Sequence, residues 1–181
     1  MMNAHVSMWA CAHAHMFTCP HGHMRFPLIL ALGACFIRWT LHANGTITDG
    51  FNFAPIHLLL LLAAVFMAGW QAMKADATVE VAGLFKAGFR AAMTYAVVAA
   101  LFAYALYSWL DPTFFPIKVN ALVDQAIKEG HTEAEAREKV GHFFSPFNYA
   151  TITLAAFMVI GAIDSMVCAL LHHKLLRKVT R

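Results

Sequence analysis

The chain has 181 residues, of which 60% are apolar and 13% charged, whereas a soluble domain runs near half apolar and about a quarter charged. Its 13 Lys and Arg against 10 Asp and Glu leave a net charge of +3, too small and too scattered to suit a nucleic-acid partner. These figures exclude disorder, make an ordinary soluble domain a poor fit and point to one compact unit in a membrane.

Residues 1–23 hold five of the 11 histidines, His5, His13, His15, His21 and His23, together with Cys11 and Cys19. Imidazole and thiolate are common zinc and copper ligands, and a His-rich tract can bind metal without folding, yet the spacing matches no zinc finger or ribbon. A start at Met24, where Met-Arg leads into an apolar run, or a disordered tail is the simpler expectation; a metal-binding tail is the alternative. Residues 24–181 then form the membrane domain.

A helix crosses the roughly 30 Å hydrocarbon layer with about 20 apolar residues, because it satisfies its own backbone hydrogen bonds where lipid offers no partner. The first span is expected at about 26–41 and carries Arg38 near one end, where its stem lies along the helix and its head reaches the headgroups. Within it, Leu32-Gly33-Ala34-Cys35 resembles a lipidation box, but Phe36 to Trp39 continue the apolar pattern where a polar tether belongs. The second span, 55–73, opens on a helix-starting proline, runs through Leu58 to Leu62 and stops at Lys74. The third, 87–110, is free of charge from Ala91 to Leu110 and closes on Asp111-Pro112. The fourth, 147–171, follows the break at Ser145-Pro146 and contains one acid, Asp164. Cys35 and Cys168 lie inside apolar runs as small hydrophobes, so no disulfide framework is expected.

Basic residues sort by side on this scheme. Arg25, Lys74, Lys86, Arg90, Lys174, Arg177, Lys178 and Arg181 share one side, the connection 43–54 has none, and the connection 111–146 is acid-rich. Lys and Arg are retained in the cytoplasm, so both termini are expected there, in a bacterial inner membrane. Trp39, Tyr107, Trp109 and Tyr149 at the outer ends and Trp70 at an inner end fit an interfacial belt.

A connection of some three dozen residues is too long to lack structure. In the hairpin, about 117–144, Val119, Leu122, Val123, Ala126 and Ile127 recur at helical spacing until Gly130. Thr132 to Glu135 then reads as a capping box. The helix that follows presents Ala136, Val140, Phe143 and Phe144 on one face, so the hairpin is expected either to cap the bundle or to lay an apolar side on the membrane or a partner.

The order of Phe85 to Phe89, Asp111-Pro112, the Gly130, Thr132 and Glu133 hairpin, Ser145-Pro146, and a span bearing Gly161 and Ser165 before a basic tail resembles a bacterial family. It is a family of small four-span membrane proteins known only as a domain of unknown function. The match covers roughly Phe85 to Lys178, and it implies a four-helix inner-membrane protein and no reaction. Asp164 and the first 23 residues depart from the pattern.

Gly88, Ala92, Ala96 and Ala100 recur every fourth residue of the third span, as do Gly161, Ser165 and Ala169 on the fourth. Small residues at this spacing let backbones approach, so the two stripes are expected to face each other. Asp164 and Arg90 are the intramembrane polar candidates. An acid inside a span is costly and seeks a partner or a cavity. Arg90 lies about 200° round the helix from Gly88, which argues against a direct pair. His42, His57, His131, His142, His172 and His173 are expected at interfaces or in solvent. No phosphate loop, metal-helix motif, nucleophile elbow or redox cysteine pair occurs, so no catalytic, cofactor or metal site and no enzyme activity is expected.

The expectation is therefore all-α: a polytopic membrane four-helix bundle with an extracytoplasmic amphipathic hairpin. Its partners would be the lipid bilayer and a membrane protein or a second copy of itself, with no nucleic acid. The role that fits is an accessory, scaffold or assembly component. The alternative is a small transporter or channel-like oligomer using Asp164.

Overall fold

A computed structural model describes residues 25–46 and 50–176, without the side chains of residues 50, 51 and 142. The His-rich start, Met24, Arg177, Lys178 and Arg181 lie outside the described residues, as does the side chain of His142. Among the described residues every element is helical. α1 is Arg25–Ala43, α2 Gly50–Ala75 and α3 Val81–Ala105, which runs on as a π-helical turn, Leu106–Leu110. α4 is Phe114–Lys128, α5 Glu133–Phe143 and α6 Pro146–Leu171, which ends in a second π-helical turn, His172–Leu176.

Four of these helices are long and apolar enough to cross a membrane: Arg25–Ala43, Asn52–Ala75, Val81–Leu110 and Pro146–Leu176. The chain is a multi-pass membrane protein with a four-helix bundle. Two helix starts differ from the sequence expectation. α2 begins at Gly50, so Pro55 sits inside it and not at its first position; prolines are tolerated inside spans because neighbouring groups re-satisfy the backbone. α3 begins at Val81 after Glu80, so the Phe85 to Phe89 segment lies within the helix and not before it. α6 opens as its sequence suggests, with the Ser145 hydroxyl accepting from the Asn148 N–H at 3.2 Å and Pro146 in the first turn.

α3 is the hub of the bundle: it packs on α1, on α2 and most extensively on α6. The α3–α6 seam joins the two small-residue stripes. A Cβ added at Gly161 would stand 2.5 Å from the Ala92 Cβ, and one at Gly88 would stand 3.1 Å from the Ser165 Oγ. The core around the seam is closed by Ala31, Leu61, Val65, Tyr95 and Phe157.

The hairpin formed by α4 and α5 turns at Gly130, whose φ of +94° suits only a residue without a Cβ. Thr132 caps α5: its hydroxyl accepts from the Glu135 N–H and donates to the Glu135 carboxylate at 2.8 Å. That hydroxyl, together with the Thr132 backbone, holds the Glu135 carboxyl below the usual glutamate range. Much of the apolar face of α5 is spent within the hairpin itself. Ala136, Val140 and Phe144 pack on Val119 and Val123 of α4, because two amphipathic helices joined by a tight turn bury each other's stripes first. Phe143, Ile117 and Ile127 are what remain exposed.

Candidate functional site

The sequence places Arg38 at the headgroups; the structure turns it inward. Arg38 is only 5% exposed, five residues before the end of α1, and its Nη2 donates to the Tyr107 hydroxyl at 2.9 Å and to the Tyr149 hydroxyl at 3.4 Å. The guanidinium carbon also lies 5.6 Å from the Tyr107 ring centroid and 6.0 Å from that of Tyr149. A cation held over two ring faces is stabilised by their quadrupoles, more so away from water. Arginine suits this role because its plane both stacks and donates.

Three elements build the clamp. Tyr107 comes from the π-helical turn after α3, where the Asp111 N–H donates to the Leu106 carbonyl at 2.7 Å. The extra residue of such a turn rotates the side chains that follow it. Tyr149 comes from the first turn of α6, its ring 5.2 Å from that of Tyr107. Phe115 of α4 closes the cluster edge-on at 5.1 Å from Tyr107. Tyr107 is thus buried at 1% exposure and serves the interior, which corrects its expected place in the interfacial belt. Trp39 and Trp109 do face outward.

Two further polar pairs line the same end of α1, α2 and α3. His42, one turn beyond Arg38, lies 3.2 Å from the Asp111 carboxylate, and both are half-buried. His57 of α2 is 3% exposed; its Nδ1 is 2.8 Å from the Tyr95 hydroxyl, with Phe53 and Phe157 against the ring. Its expected interfacial position is corrected, since α2 turns it onto α3. At the far end of the bundle His172 is fully buried against Phe66 and Trp70, not solvated. Its Nδ1 bonds the Cys168 carbonyl at 2.6 Å, while Nε2 has no partner.

Sequence spacing held part of this signal. Cys35, Arg38 and His42 share one face of a helix, and two polar groups on one stripe of a span point to the bundle interior. His57 and Tyr95 carried no comparable mark, since each stands alone in its own span.

Asp164 and Arg90 are not brought together. Arg90 is exposed on the side of α3 opposite the seam, and Asp164 is half-buried on α6; among the described residues neither makes an ion pair. The stripe residues Gly88, Ala92, Ala96, Ala100, Gly161, Ser165 and Ala169 are all buried. Cys35 and Cys168 are free thiols and buried. No group of three or more His, Cys, Asp or Glu side chains converges among the described residues.

A pocket of about 490 Å³ lies where the hairpin meets the bundle. Phe115, Pro116, Val119 and Phe144 give it apolar walls, and Asn120 and Arg137 give it a polar rim. Arg137 is held there by Asn120 and Glu133, each at 3.2 Å. Another pocket, about 210 Å³, lies between α4 and α5.

A family model described as "Protein of unknown function (DUF4199)" matches residues 27–174. The match takes in all four spans and the hairpin, so it reaches further toward the N-terminus than the resemblance over Phe85 to Lys178. No curated protein and no solved structure matches the chain.

Proposed function

The chain belongs to the DUF4199 family, whose function is unknown, and from that premise we propose that it is an accessory, scaffold or assembly component of a membrane complex. The observation that carries this reading is the groove of about 490 Å³ between hairpin and bundle. It is apolar with a polar rim, a composition suited to a partner's segment, and Pro112, Ser145 and Pro146 in its lining, at the ends of the apolar helices, support a position near the bilayer boundary. The charge sorting of the sequence supports an extracytoplasmic position for that groove in a bacterial inner membrane, with both termini in the cytoplasm.

Purification of the tagged chain from its native membrane in mild detergent tests the proposal. A second membrane protein is expected to co-purify in fixed proportion and to be lost from a Pro116→Glu variant whose helix content is unchanged by circular dichroism. Recovery of the chain with no other protein would overturn it.

A second reading, a small transporter or channel-like oligomer, is favoured by one observation: Arg38, His57, Tyr95 and Tyr107 bury polar groups within the spans. On this reading the path runs beside Arg38 and His57 and not past Asp164 alone. Ion or proton flux into liposomes holding the purified chain, abolished by Arg38→Met, is its expected signature.

A further inference from the structure

The seam fixes the depth of two charges within the spans, Arg90 and Asp164, neither of which makes an ion pair among the described residues. Gly88 lies against Ser165 and Gly161 lies against Ala92, so the α3 segment 88–92 runs antiparallel beside the α6 segment 161–165. Arg90 and Asp164 fall inside those segments. They are level with each other along the bundle axis, to within about one helical turn of 5.4 Å. Each sits among apolar residues that the chain does not cover: Met93 and Val97 beside Arg90, Ile163 and Val167 beside Asp164. Lipid is a poor neighbour for both charges.

We propose that a second copy of this chain covers these faces, with Arg90 of one copy paired to Asp164 of the next. The proposal deepens the accessory and assembly reading and rests on it. Charge complementarity selects the occupant. Copies inserted with one topology are related by rotation about the membrane normal, and that rotation leaves depth unchanged. Level residues in one chain are therefore level between chains, so an arrangement that brings the two faces together sets the guanidinium and the carboxylate at one depth. Within one chain the pair is forbidden by direction, because Arg90 points away from α6. Between chains direction is free. Symmetry then makes the contact repeat until the assembly closes, and neither Arg90 nor Asp164 is left facing lipid.

Two single reversals test it with the full chain in nanodiscs. Arg90→Asp and Asp164→Arg each place like charges at the contact, and each is expected to weaken self-association by roughly tenfold or more. The two variants are complementary, so differently tagged Arg90→Asp and Asp164→Arg chains mixed together should assemble as heteromers, which also shows that both are folded. A monomeric native chain would overturn the proposal, as would reversals without effect or variants that do not rescue each other. Failure here is separable from failure of the broader reading. A different protein that co-purifies equally with the native chain and both reversals, while none of the three self-associates, sustains the accessory role and removes the self-pairing. Reciprocal rescue with no other protein bound does the opposite.

Discussion

α3 and α6 meet twice, in two different ways. Along the seam, Gly161 lies so near α3 that a Cβ would stand 2.5 Å from the Ala92 Cβ. Toward the hairpin the same pair is held by large rings, Tyr107 against Tyr149 at 5.2 Å, with the Arg38 cation over both. Lipid gives helices no hydrophobic reason to associate, so contact must come from close van der Waals approach or from polar groups that find partners only in the bundle. The seam uses the first device and the aromatic cluster the second. The first tolerates no added volume, and the second tolerates no lost one.

Substitutions can break or sharpen that contrast. Gly161→Val forces β-branched bulk against Ala92, an overpacking expected to cost about 3 kcal/mol. It should show as the largest fall in thermal midpoint in detergent, and a native midpoint would refute the close-packed seam. Arg38→Ala empties the cluster and removes its cation, at an expected cost of about 2 kcal/mol. Arg38→Met fills the volume without the charge and should cost less, so equal losses in the two variants would mean that the charge, and not the packing, holds the cluster. Tyr107→Phe keeps the ring and deletes one hydroxyl, for about 1 kcal/mol. Tyr149→Phe should matter less, since its contact with Arg38 is longer at 3.4 Å.

The hairpin supplies the smallest effect and a control outside the span. Thr132→Ala removes the α5 cap, which is worth about 1 kcal/mol or less to that helix and should leave the bundle midpoint unchanged. Because the folded Glu135 carboxyl sits below its ordinary value, its stabilising contribution is present above the unfolded glutamate pKa and is lost as pH falls through the lowered folded one. Amide protection in α5, taken relative to the intrinsic exchange rate at each pH, should therefore fall on acidification in the native chain, and Thr132→Ala should flatten that response.

The seam was legible in sequence because every member is a small residue at a fixed spacing of four, a pattern that survives any rotation of the helix. The cap at Thr132 and the break at Ser145 were legible because they act within a few residues. Arg38 is legible only in part, through the face it shares with Cys35 and His42, whereas the sequence around His57 and His172 carries no mark of which way either points. The hairpin's apolar stripe was visible too, although the pattern does not distinguish a face spent on α4 from a face offered to a membrane.

By itself the sequence determined the four spans, their small-residue stripes and a helical hairpin between the third and fourth, because in lipid a backbone must satisfy its own hydrogen bonds and composition alone locates where it does so. Only the tertiary structure decided direction. The rotation of each helix is set by its neighbours, and it is rotation that sends Arg38 between two tyrosines, joins His57 to Tyr95, and leaves Arg90 and Asp164 level with each other on faces that the chain itself does not cover.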